Sequence, residues 1–270
     1  MRKNDRRIRT ARAAALLTLM LFAFSGAARA LQFTLASQNC LRLGQGKKVN
    51  QTNKNKILRN LFAGYDVIVL QEVMAQANLG QVTPGTHQYI VTKLQGPGSY
   101  KEAYAFLVKS SINASPPYTT KVRGFMRPPA GVLVTTGGVS TWVVDYHAVH
   151  GNRKSLRTAE VKLIPQVHQE FQSLLVNGVK HNRVIFGGDW NLKANDPVFQ
   201  SFTNVAVQPN KPTSMKRNGA PNHPYDHFLW VPKLLKVTNP DKIPIPNPPG
   251  SEKNWRKEVS DHVGIACKVF

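Results

Sequence analysis

The chain has 270 residues, of which 41% are hydrophobic and 9% aromatic, and it carries 36 Lys and Arg against 14 Asp and Glu. That apolar and aromatic content excludes a disordered chain. Two cysteines exclude a disulfide-dense scaffold and a zinc-finger array. The net charge of +22 is too one-sided to serve solubility alone, and it indicates a polyanionic partner such as nucleic acid or an anionic lipid surface.

Residues 1–30 have the pattern of a secretory signal peptide. A basic segment precedes an apolar stretch over 13–24, and Ala28 and Ala30 place small residues at the −3 and −1 positions of a cleavage site. The stretch is too short for a membrane anchor, and no later apolar run has the length of a span. We therefore expect a secreted or periplasmic protein in which residues 31–270 form a single domain. Removing residues 1–30 takes away seven Lys and Arg and one Asp, which leaves a charge of +16.

The hydrophobic pattern predicts a mixed α/β domain with packed sheets and outer helices. We expect helices over 53–62, closed by Gly64, and over 155–177, where Pro165 should kink or split the helix. A short helix is expected from Asp196-Pro197, and the proline-rich segment 239–250 is expected to be an irregular loop. Strands are expected over 31–39, 66–70, 104–108, 131–135, 139–149, 183–186, 228–231 and 263–270.

Most of the predicted strands end in a carboxylate, an Asn or a His. One such residue is an ordinary turn former. A whole series is harder to dismiss, because apolar strands bring their ends together at one rim of the sheets. The residues are Asn39, Glu72, His147, Asp189, Asn191, Asp226 and the pair Asp261-His262.

The chemistry that suits these residues is metal-assisted phosphoryl transfer. Hard oxygen ligands from Glu72, Asp261 and Asn39 match Mg²⁺, with Mn²⁺ as a substitute, and no Cys and His set has zinc spacing. Two histidines with carboxylate partners can hydrogen-bond a phosphate and transfer protons. Asp189 can orient and deprotonate a water, while the amide of Asn191 steadies charge on the phosphate.

These residues lie in a series of motifs that resembles the endonuclease/exonuclease/phosphatase superfamily, and within it the secreted deoxyribonuclease I family. One motif alone is a weak signal, but all of them in order form a strong one. The resemblance implies a four-layer α/β/β/α sandwich, with two packed mixed sheets flanked by helices. The motifs are Ser37-Gln38-Asn39, Val69-Leu70-Gln71-Glu72-Val73, Tyr100-Lys101-Glu102-Ala103-Tyr104, Arg127-Pro128-Pro129-Ala130, His147, Gly188-Asp189-Trp190-Asn191, Tyr225-Asp226-His227 and Ser260-Asp261-His262.

The resemblance implies a role for each metal-site and water-site residue. Glu72 would be the chief metal ligand, with Asn39 and Asp261 beside it. Asp189 and Asn191 would position the attacking water and stabilise the transition state. The resemblance leaves open whether Asp189 or His262 is the general base.

The resemblance also implies two catalytic pairs on either side of the scissile phosphate. His147 would pair with Glu102, and His262 would pair with Asp226. Glu102 is visible only through the resemblance, because a Glu between Lys101 and Ala103 is by itself more typical of a solvated strand end.

Three features favour DNA as the substrate. The basic charge attracts a phosphate backbone. Tyr100 and Arg127 match positions at which deoxyribonucleases stack on a sugar and enter the minor groove. No segment resembles the aromatic hairpin with which secreted sphingomyelinases enter membranes. We therefore expect a monomeric, secreted, Mg²⁺-dependent endonuclease of low sequence specificity that leaves 5′-phosphate ends.

Other substrates and roles stay open. The same superfamily includes secreted sphingomyelinases, phosphoinositide phosphatases and the catalytic subunit of cytolethal distending toxins. A non-catalytic binding module ranks last, because every expected catalytic position is filled.

The sequence departs from the deoxyribonuclease pattern at several places. Met74 stands where that family often has a DNA-contacting Arg, and the segment 109–126 contains no Asp, Glu or Cys, so we expect no structural Ca²⁺ there. Cys40 and Cys267 are expected to be free, buried thiols. His227 is a candidate phosphate contact. The basic segments 47–56 and 216–217 are candidate contacts to a DNA backbone.

Overall fold

The computed structural model describes residues 32–45, 50–98, 101–247 and 249–270. The predicted signal peptide and Tyr100 lie outside the described residues. The strands are β1 (Phe33–Leu43), β2 (Val67–Val73), β3 (His87–Val91), β4 (Ala103–Lys109), β5 (Asn113–Ala114), β6 (Tyr118–Thr119), β7 (Ala130–Thr136), β8 (Val139–His147), β9 (Leu175–Val176), β10 (Val179–Lys180), β11 (Val184–Asp189), β12 (Ala206–Gln208), β13 (Asp226–Trp230), β14 (Val237–Lys242) and β15 (Ile265–Val269).

The helices are α1 (Gln51–Phe62), α2 (Leu79–Val82), α3 (Lys154–Val161), α4 (Ile164–Ser173) and α5 (Glu252–Glu258), with 3₁₀ turns at Gln76–Asn78 and Pro197–Ser201. Among the residues that the structure describes, no helix is long and apolar enough to cross a membrane.

Two large mixed sheets form the centre of the fold. The first has the order β14-β15-β1-β2-β4-β3, and the second has the order β12-β13-β11-β8-β7-β5, with β6 also paired to β7. In the first sheet β1 runs parallel to β2 and antiparallel to β15, and in the second β8 runs parallel to β11. The predicted pair of mixed sheets is confirmed.

Alternation along the strands builds the layers. In β2, Val67 and Val69 face the second sheet, where Val143 and Ile185 meet them in a shared core. The intervening Ile68 of β2 belongs to a different cluster, on the outer face of the first sheet. Because β2 is buried on both faces, it reads as a continuous apolar run.

The outer helices cover the outer faces of the sheets. The cluster on the first sheet includes Leu58 and Phe62 of α1 and Trp255 of α5. The cluster on the second sheet includes Val167 and Phe171 of α4. These layers confirm the predicted α/β/β/α sandwich.

Local signals set the helix boundaries, although α1 begins two residues before the predicted start and α4 ends at Ser173, before the predicted end at 177. Asn50 caps α1, its side chain accepting from the backbone N–H of Asn53 at 3.1 Å. Pro165 lies in the first turn of α4 and separates it from α3, because a proline is tolerated there and not in a helix interior. Asp196 likewise caps the turn that begins at Pro197.

The prediction of an irregular loop over 239–250 is wrong for its first four residues, which belong to β14. Pro240 is accommodated there because β14 is an edge strand and its pairing with β15 is irregular between Thr238 and Asp241. Helix α5, which follows the loop and is capped by Ser251, was not predicted.

The two cysteines are free and buried. Cys267 of β15 pairs with Leu35 of β1, and Cys40 lies five residues further along β1. That separation along an extended strand keeps the two sulfurs beyond disulfide reach.

Segment 109–126, where we expect no Ca²⁺, is held against the second sheet by a carboxylate from α4. Glu170 accepts hydrogen bonds from the Tyr118 hydroxyl at 2.6 Å, from the Thr120 hydroxyl and from the backbone N–H of Lys121 at 2.9 Å.

The buried position of His168 in α4 leads us to expect a measurable loss of stability in acid. Its ring packs against Phe186 and Phe202, and burial lowers its pKa to about 4. A His in the unfolded chain titrates near 6.5. The unfolded state therefore takes up a proton before the folded state does, and the free energy of unfolding decreases as pH falls from about 6.5 towards 4. The loss amounts to about 3 kcal/mol. We expect His168→Phe to be more stable than the wild type by about that amount at pH 4, relative to their difference at pH 7. Urea denaturation at both pH values measures this, and parallel stability profiles would contradict it.

Candidate active site

Three site residues come from neighbouring strands of the second sheet. Asp189 ends β11, and in the strand registers it lies beside His147 at the end of β8 and beside Asp226 at the start of β13. Gly188, with φ of +150°, makes this arrangement possible, because a Cβ there would lie 1.9 Å from the Tyr146 carbonyl oxygen. The carboxylates and the imidazole therefore share one rim.

The first sheet brings the remaining residues to the same rim. Asn39 of β1 lies beside Gln71 of β2, so Glu72 follows immediately. Glu102 directly precedes β4, and His262 lies shortly before β15. The structure thus brings together eight of the predicted side chains: Asn39, Glu72, Glu102, His147, Asp189, Asn191, Asp226 and His262. We call this set the central site.

Asp189 lies at the middle of the central site. Its Oδ2 is 3.7 Å from Nε2 of His147 and 3.5 Å from Nε2 of His262. The same oxygen accepts a hydrogen bond of 3.0 Å from the amide of Asn39, while Oδ1 accepts from the backbone N–H of Asn191 at 2.9 Å. One carboxylate oxygen therefore faces both imidazoles.

Each imidazole is backed by a second carboxylate. Nδ1 of His147 is 2.6 Å from Oε1 of Glu102, and Nδ1 of His262 is 2.7 Å from Oδ2 of Asp226. Because each carboxylate holds Nδ1, the Nε2 atoms are left pointing to Asp189. The predicted pairs Glu102–His147 and Asp226–His262 have the geometry of carboxylate–histidine pairs.

Electrostatics sets opposite protonation tendencies in the central site. Burial alone would lower the pKa of His147, but Glu102 outweighs it and raises the pKa. Burial would also lower the pKa of His262, but Asp226 and Asp189 raise that pKa well above its ordinary value. At Asp189 burial would raise the pKa, but the two histidines lower it. These interactions favour the ionised form of Asp189 and the protonated forms of the two imidazoles.

Glu72 is held in an unusual backbone conformation. Its φ of +59° is left-handed, a conformation that a non-glycine residue keeps only where its surroundings enforce it. Its Oε2 accepts from the backbone N–H of Arg42 at 2.9 Å, and its Oε1 accepts from the Asn39 amide at 3.1 Å. The Glu72 carboxylate is therefore fixed beside Asn39.

Lys54 of α1 supports that arrangement from below. Its side chain is buried, and Nζ donates to the carbonyl oxygens of Cys40 and, at 2.9 Å, of Leu41. Leu41 and Arg42 are both left-handed, at an irregularity in the pairing of β1 with β2. Lys54 had been included in a segment predicted to contact a DNA backbone, and its burial excludes it from that role.

Replacing Lys54 with methionine is expected to lower the free energy of unfolding by about 2 kcal/mol, because two buried carbonyls lose their donor. The matched control is Lys56→Met on the exposed side of the same helix, which should change stability by less than about 0.5 kcal/mol. Chemical denaturation of both variants gives the two values. Equal stability of the two variants would mean that the Lys54 contacts contribute nothing.

Asp261 stands apart from the other two predicted metal ligands. Its side chain is 32% exposed and forms an ion pair of 3.3 Å with Arg256. Another acidic group, made of Asp189, Asp226 and His262, has its ligand atoms within 4.8 Å of one another. The hydrogen bond between Asp226 and His262 accounts for much of that proximity.

The donor set at Glu72 fits a divalent cation. Glu72 and Asp189 are two carboxylates that the amide of one residue, Asn39, bridges at 3.1 and 3.0 Å. The partly exposed Glu72 carboxylate, with the side-chain oxygen of Asn39 beside it, is a small set of hard oxygen donors that suits a cation that keeps several waters.

Arg127 differs from its predicted role. Instead of projecting towards a DNA groove, it is only 5% exposed. Its guanidinium contacts Oε2 of Glu102 at 3.3 Å and donates to the carbonyl oxygens of His147 and Ala148 at 3.3 and 2.8 Å. Arg127 therefore positions the Glu102–His147 pair.

His227 is also corrected. It is fully buried, and its two ring nitrogens lie 2.9 and 2.8 Å from the carbonyl oxygens of Pro209 and Leu192. Burial lowers its pKa, and the enclosed ring has no access to a phosphate. Asn191 is bound to the backbone too, with one amide N–H donating to the Ala148 carbonyl at 3.2 Å.

Some supporting residues were missed by the sequence reasoning. The Tyr104 hydroxyl accepts from the backbone N–H of His147 at 3.1 Å and donates to the Arg127 carbonyl. Gln71 donates to the fully buried Asp145 at 2.5 Å, which links the two sheets below the site. Tyr104 and Gln71 both lie in the quoted motifs, and that position is the signal from which they could have been identified.

Two clefts adjoin the central site. A cleft of about 410 Å³ includes Glu72, Glu102 and His147 and is walled by Met74 and Met126; we call it the methionine cleft. A second cleft, of about 620 Å³, includes Asp261 and is lined otherwise by Leu41, Arg217, Asn218, Lys253, Asn254, Arg256 and Lys257; we call it the basic cleft.

A sequence profile of the Endonuclease/Exonuclease/phosphatase family matches residues 36–262, which is most of the chain. The chain belongs to this family. The match spans every residue of the central site. A search of curated proteins found no match.

Solved structures share the fold of this family member. TDP2 of D. rerio complexed with single strand DNA product is 19% identical, with a TM-score of 0.61 over 88% of this chain and 99% of that chain. The human Nocturnin catalytic domain is 16% identical, with a TM-score of 0.63 over 88% and 94%. A mannosyl-6-phosphatase of Bacteroides thetaiotaomicron is 14% identical, with a TM-score of 0.62 over 88% and 99%. At these identities the likeness concerns the fold alone.

Proposed function

We propose that this protein is an exported, Mg²⁺-dependent endonuclease that hydrolyses DNA phosphodiester bonds with little sequence specificity and leaves 5′-phosphate ends. The observation that carries the proposal is the position of Asp189 between two carboxylate-backed imidazoles, those of His147 and His262. That arrangement offers an acceptor for a water proton and two donors for a phosphate within one small space.

The directions of the pKa shifts at Asp189, His262 and His147 support a role for each residue. Asp189 stays ionised because the two histidines lower its pKa, and its Oδ2, which faces both imidazoles, is placed to accept the proton of the attacking water. His262 has a raised pKa and is therefore a poor base at neutral pH, so it donates from Nε2 to a phosphate oxygen. His147 donates in the same way from the other side. This assignment takes Asp189 over His262 as the general base.

Glu72 and Asn39 would hold the divalent cation, whereas Asp261, predicted as a third oxygen donor, is paired with Arg256 and stands apart from them. When bound, such a cation neutralises charge that develops on the phosphate and leaving oxygens. The half-exposed Glu72 carboxylate is already oriented by Asn39 and by the backbone of Arg42, so little reorganisation is required of the protein.

DNA is favoured over a lipid phosphodiester by charge. A net charge of +16 after removal of residues 1–30 supplies sequence-independent attraction to a polyphosphate. One relative by fold was solved as a complex with a single-stranded DNA product. The proposed export rests on the signal-peptide pattern of residues 1–30, and the monomeric state stays a prediction. Tyr100, predicted to contact DNA, stays a prediction.

The proposal is tested by incubating supercoiled plasmid with the protein that begins at residue 31, in Mg²⁺, in Mn²⁺ and in EDTA. We expect open-circular plasmid with either metal and intact plasmid in EDTA. DNA ligase should reseal the nicks without prior treatment by a kinase, because the ends carry 5′-phosphates. Plasmid that stays supercoiled in both metals would overturn the proposal, and nicks that ligase does not reseal would overturn the assigned end chemistry.

A further inference from the structure

The basic cleft presents cations that the protein itself leaves largely unpaired. Four of its lining residues are basic and one, Asp261, is acidic. Arg256 is paired with Asp261 at 3.3 Å. Across the described ranges 32–45, 50–98, 101–247 and 249–270, no carboxylate lies within ion-pair distance of Arg217, Lys253 or Lys257. The cleft therefore holds an excess of positive charge.

On helix α5 the acidic side chains bind other elements, and the basic side chains line the basic cleft. Trp255 is buried, and its Nε1 donates to the His262 carbonyl at 2.7 Å, which anchors the helix against the central site. The two acids of the helix are engaged elsewhere: Glu252 with Lys242 at 2.7 Å and Glu258 with Asn53 at 2.9 Å. The basic residues at 253, 256 and 257 are left to line the cleft.

A tight turn forms the opposite wall. The N–H of Gly219 donates to the Lys216 carbonyl at 2.8 Å, and Lys216 donates its own N–H to Ala220. Gly219 has φ of +86°, and a Cβ there would lie 2.5 Å from Cα of Lys253. Only glycine allows this close approach, so the turn that carries Arg217 is fixed against the helix that carries Lys253 and Lys257.

We infer that the basic cleft binds the phosphates of a nucleic-acid strand next to the scissile phosphate. The inference rests on the proposed function and extends it, because it assigns the substrate strand a path from the central site past Asp261. Lys253 and Lys257 are four residues apart on the helix, about 6 Å along the axis, a separation that suits consecutive phosphates.

A strand with several phosphates fits the cleft better than a lipid headgroup does. The cleft volume of about 620 Å³ exceeds the space of a single phosphate, and its cations come from two separate elements. The exposed large apolar side chains in the described part of the chain include Leu175 and Val179 of the β9–β10 hairpin and do not line this cleft. The cleft thus offers charge and none of the exposed large apolar side chains that insertion into a membrane would use.

The test is equilibrium binding of a fluorescein-labelled 12-base-pair DNA duplex in EDTA, which prevents cleavage, over a range of salt concentrations. The variant is Arg217→Ala/Lys253→Ala/Lys257→Ala. The control is Lys180→Ala/Lys233→Ala, which removes exposed cations at the opposite ends of the strands. We expect the Kd of the variant to rise about tenfold and the slope of log Kd against log salt to fall by about 1 to 2, while the control binds like the wild type.

Turnover of bis(4-nitrophenyl) phosphate, a diester with one phosphate, supplies the second measurement. We expect the variant to retain wild-type turnover, because the small diester does not extend into the cleft. Equal Kd and salt slope in variant and control would overturn the inference, as would loss of binding to anionic lipid vesicles without loss of DNA binding. A protein that binds DNA through the cleft but never nicks plasmid would overturn the proposed function and leave the cleft assignment intact.

Discussion

Replacing Asp189 with asparagine is expected to lower kcat/KM for plasmid nicking by at least about a thousandfold. The substitution keeps the shape of the side chain and removes the charge that faces both imidazoles. Oδ2 of Asp189 is the atom that Nε2 of His147, Nε2 of His262 and the amide of Asn39 all approach. An amide there is a poor acceptor for a proton from water, and the substitution removes one of the charges that raise the pKa of each histidine.

The control for this variant is Asp241→Asn, an exposed carboxylate on the edge strand β14 that pairs with Lys211. It should nick plasmid at the wild-type rate. Far-ultraviolet circular dichroism of both variants checks that the fold is retained. Activity of Asp189→Asn within tenfold of the wild type would remove Asp189 from the chemistry.

The second large effect is expected at the Glu102–His147 pair. His147→Ala should lower kcat about a thousandfold, because it removes a donor to the phosphate. Glu102→Gln should cost less, about tenfold to a hundredfold, and should also change the pH profile. The carboxylate of Glu102 raises the pKa of His147 above its ordinary value. Without that charge the pKa falls, so the protonated imidazole is lost at a lower pH and the alkaline limb of the kcat profile shifts to lower pH.

A control histidine distinguishes this from a general effect of substitution. His181 lies before β11, at the end of that strand away from Asp189, and His181→Ala should keep both the rate and the profile of the wild type. A Glu102→Gln profile that is lower but unshifted would mean that Glu102 only holds the imidazole in place. A shift to higher pH would contradict the assigned protonation of His147.

The fold was largely predictable because its strands are long apolar runs that end in polar residues. Segment 66–70 was expected as a strand and overlaps β2 from Val67, and Pro165 divides the predicted helix as expected. The first residues of the predicted loop 239–250 were misjudged, because edge pairing with β15 outweighs the turn preference of Asn239-Pro240. Short strands such as β5 and β12 carry too few residues to show a period.

The central site was predictable where chemistry and position coincide in the sequence. Asp189 and His147 end apolar runs, and register then brings them side by side. Arg127 was assigned to DNA because the sequence does not reveal that its guanidinium is buried among backbone carbonyls. Lys54 had a readable signal: it lies three residues before Ile57, on the face of α1 that is buried.

The charges outside the central site were harder to interpret. The sequence gives a total of basic residues but not their partners. Lys242 and Arg256 are engaged by Glu252 and Asp261. Lys253 and Lys257, in contrast, line the basic cleft because of a helix that the sequence did not predict. The place on the surface where basic residues are in excess is therefore known only once the tertiary contacts are known.

The most direct test of the account compares two substrates at one enzyme concentration in Mg²⁺: supercoiled plasmid and sphingomyelin vesicles. We expect the protein to nick the plasmid and to leave the sphingomyelin intact, with both assays blank in EDTA and the plasmid assay abolished in Asp189→Asn. Hydrolysis of sphingomyelin with the plasmid left supercoiled would contradict the account, because the same catalytic groups would then serve a lipid and the basic charge would serve a membrane surface.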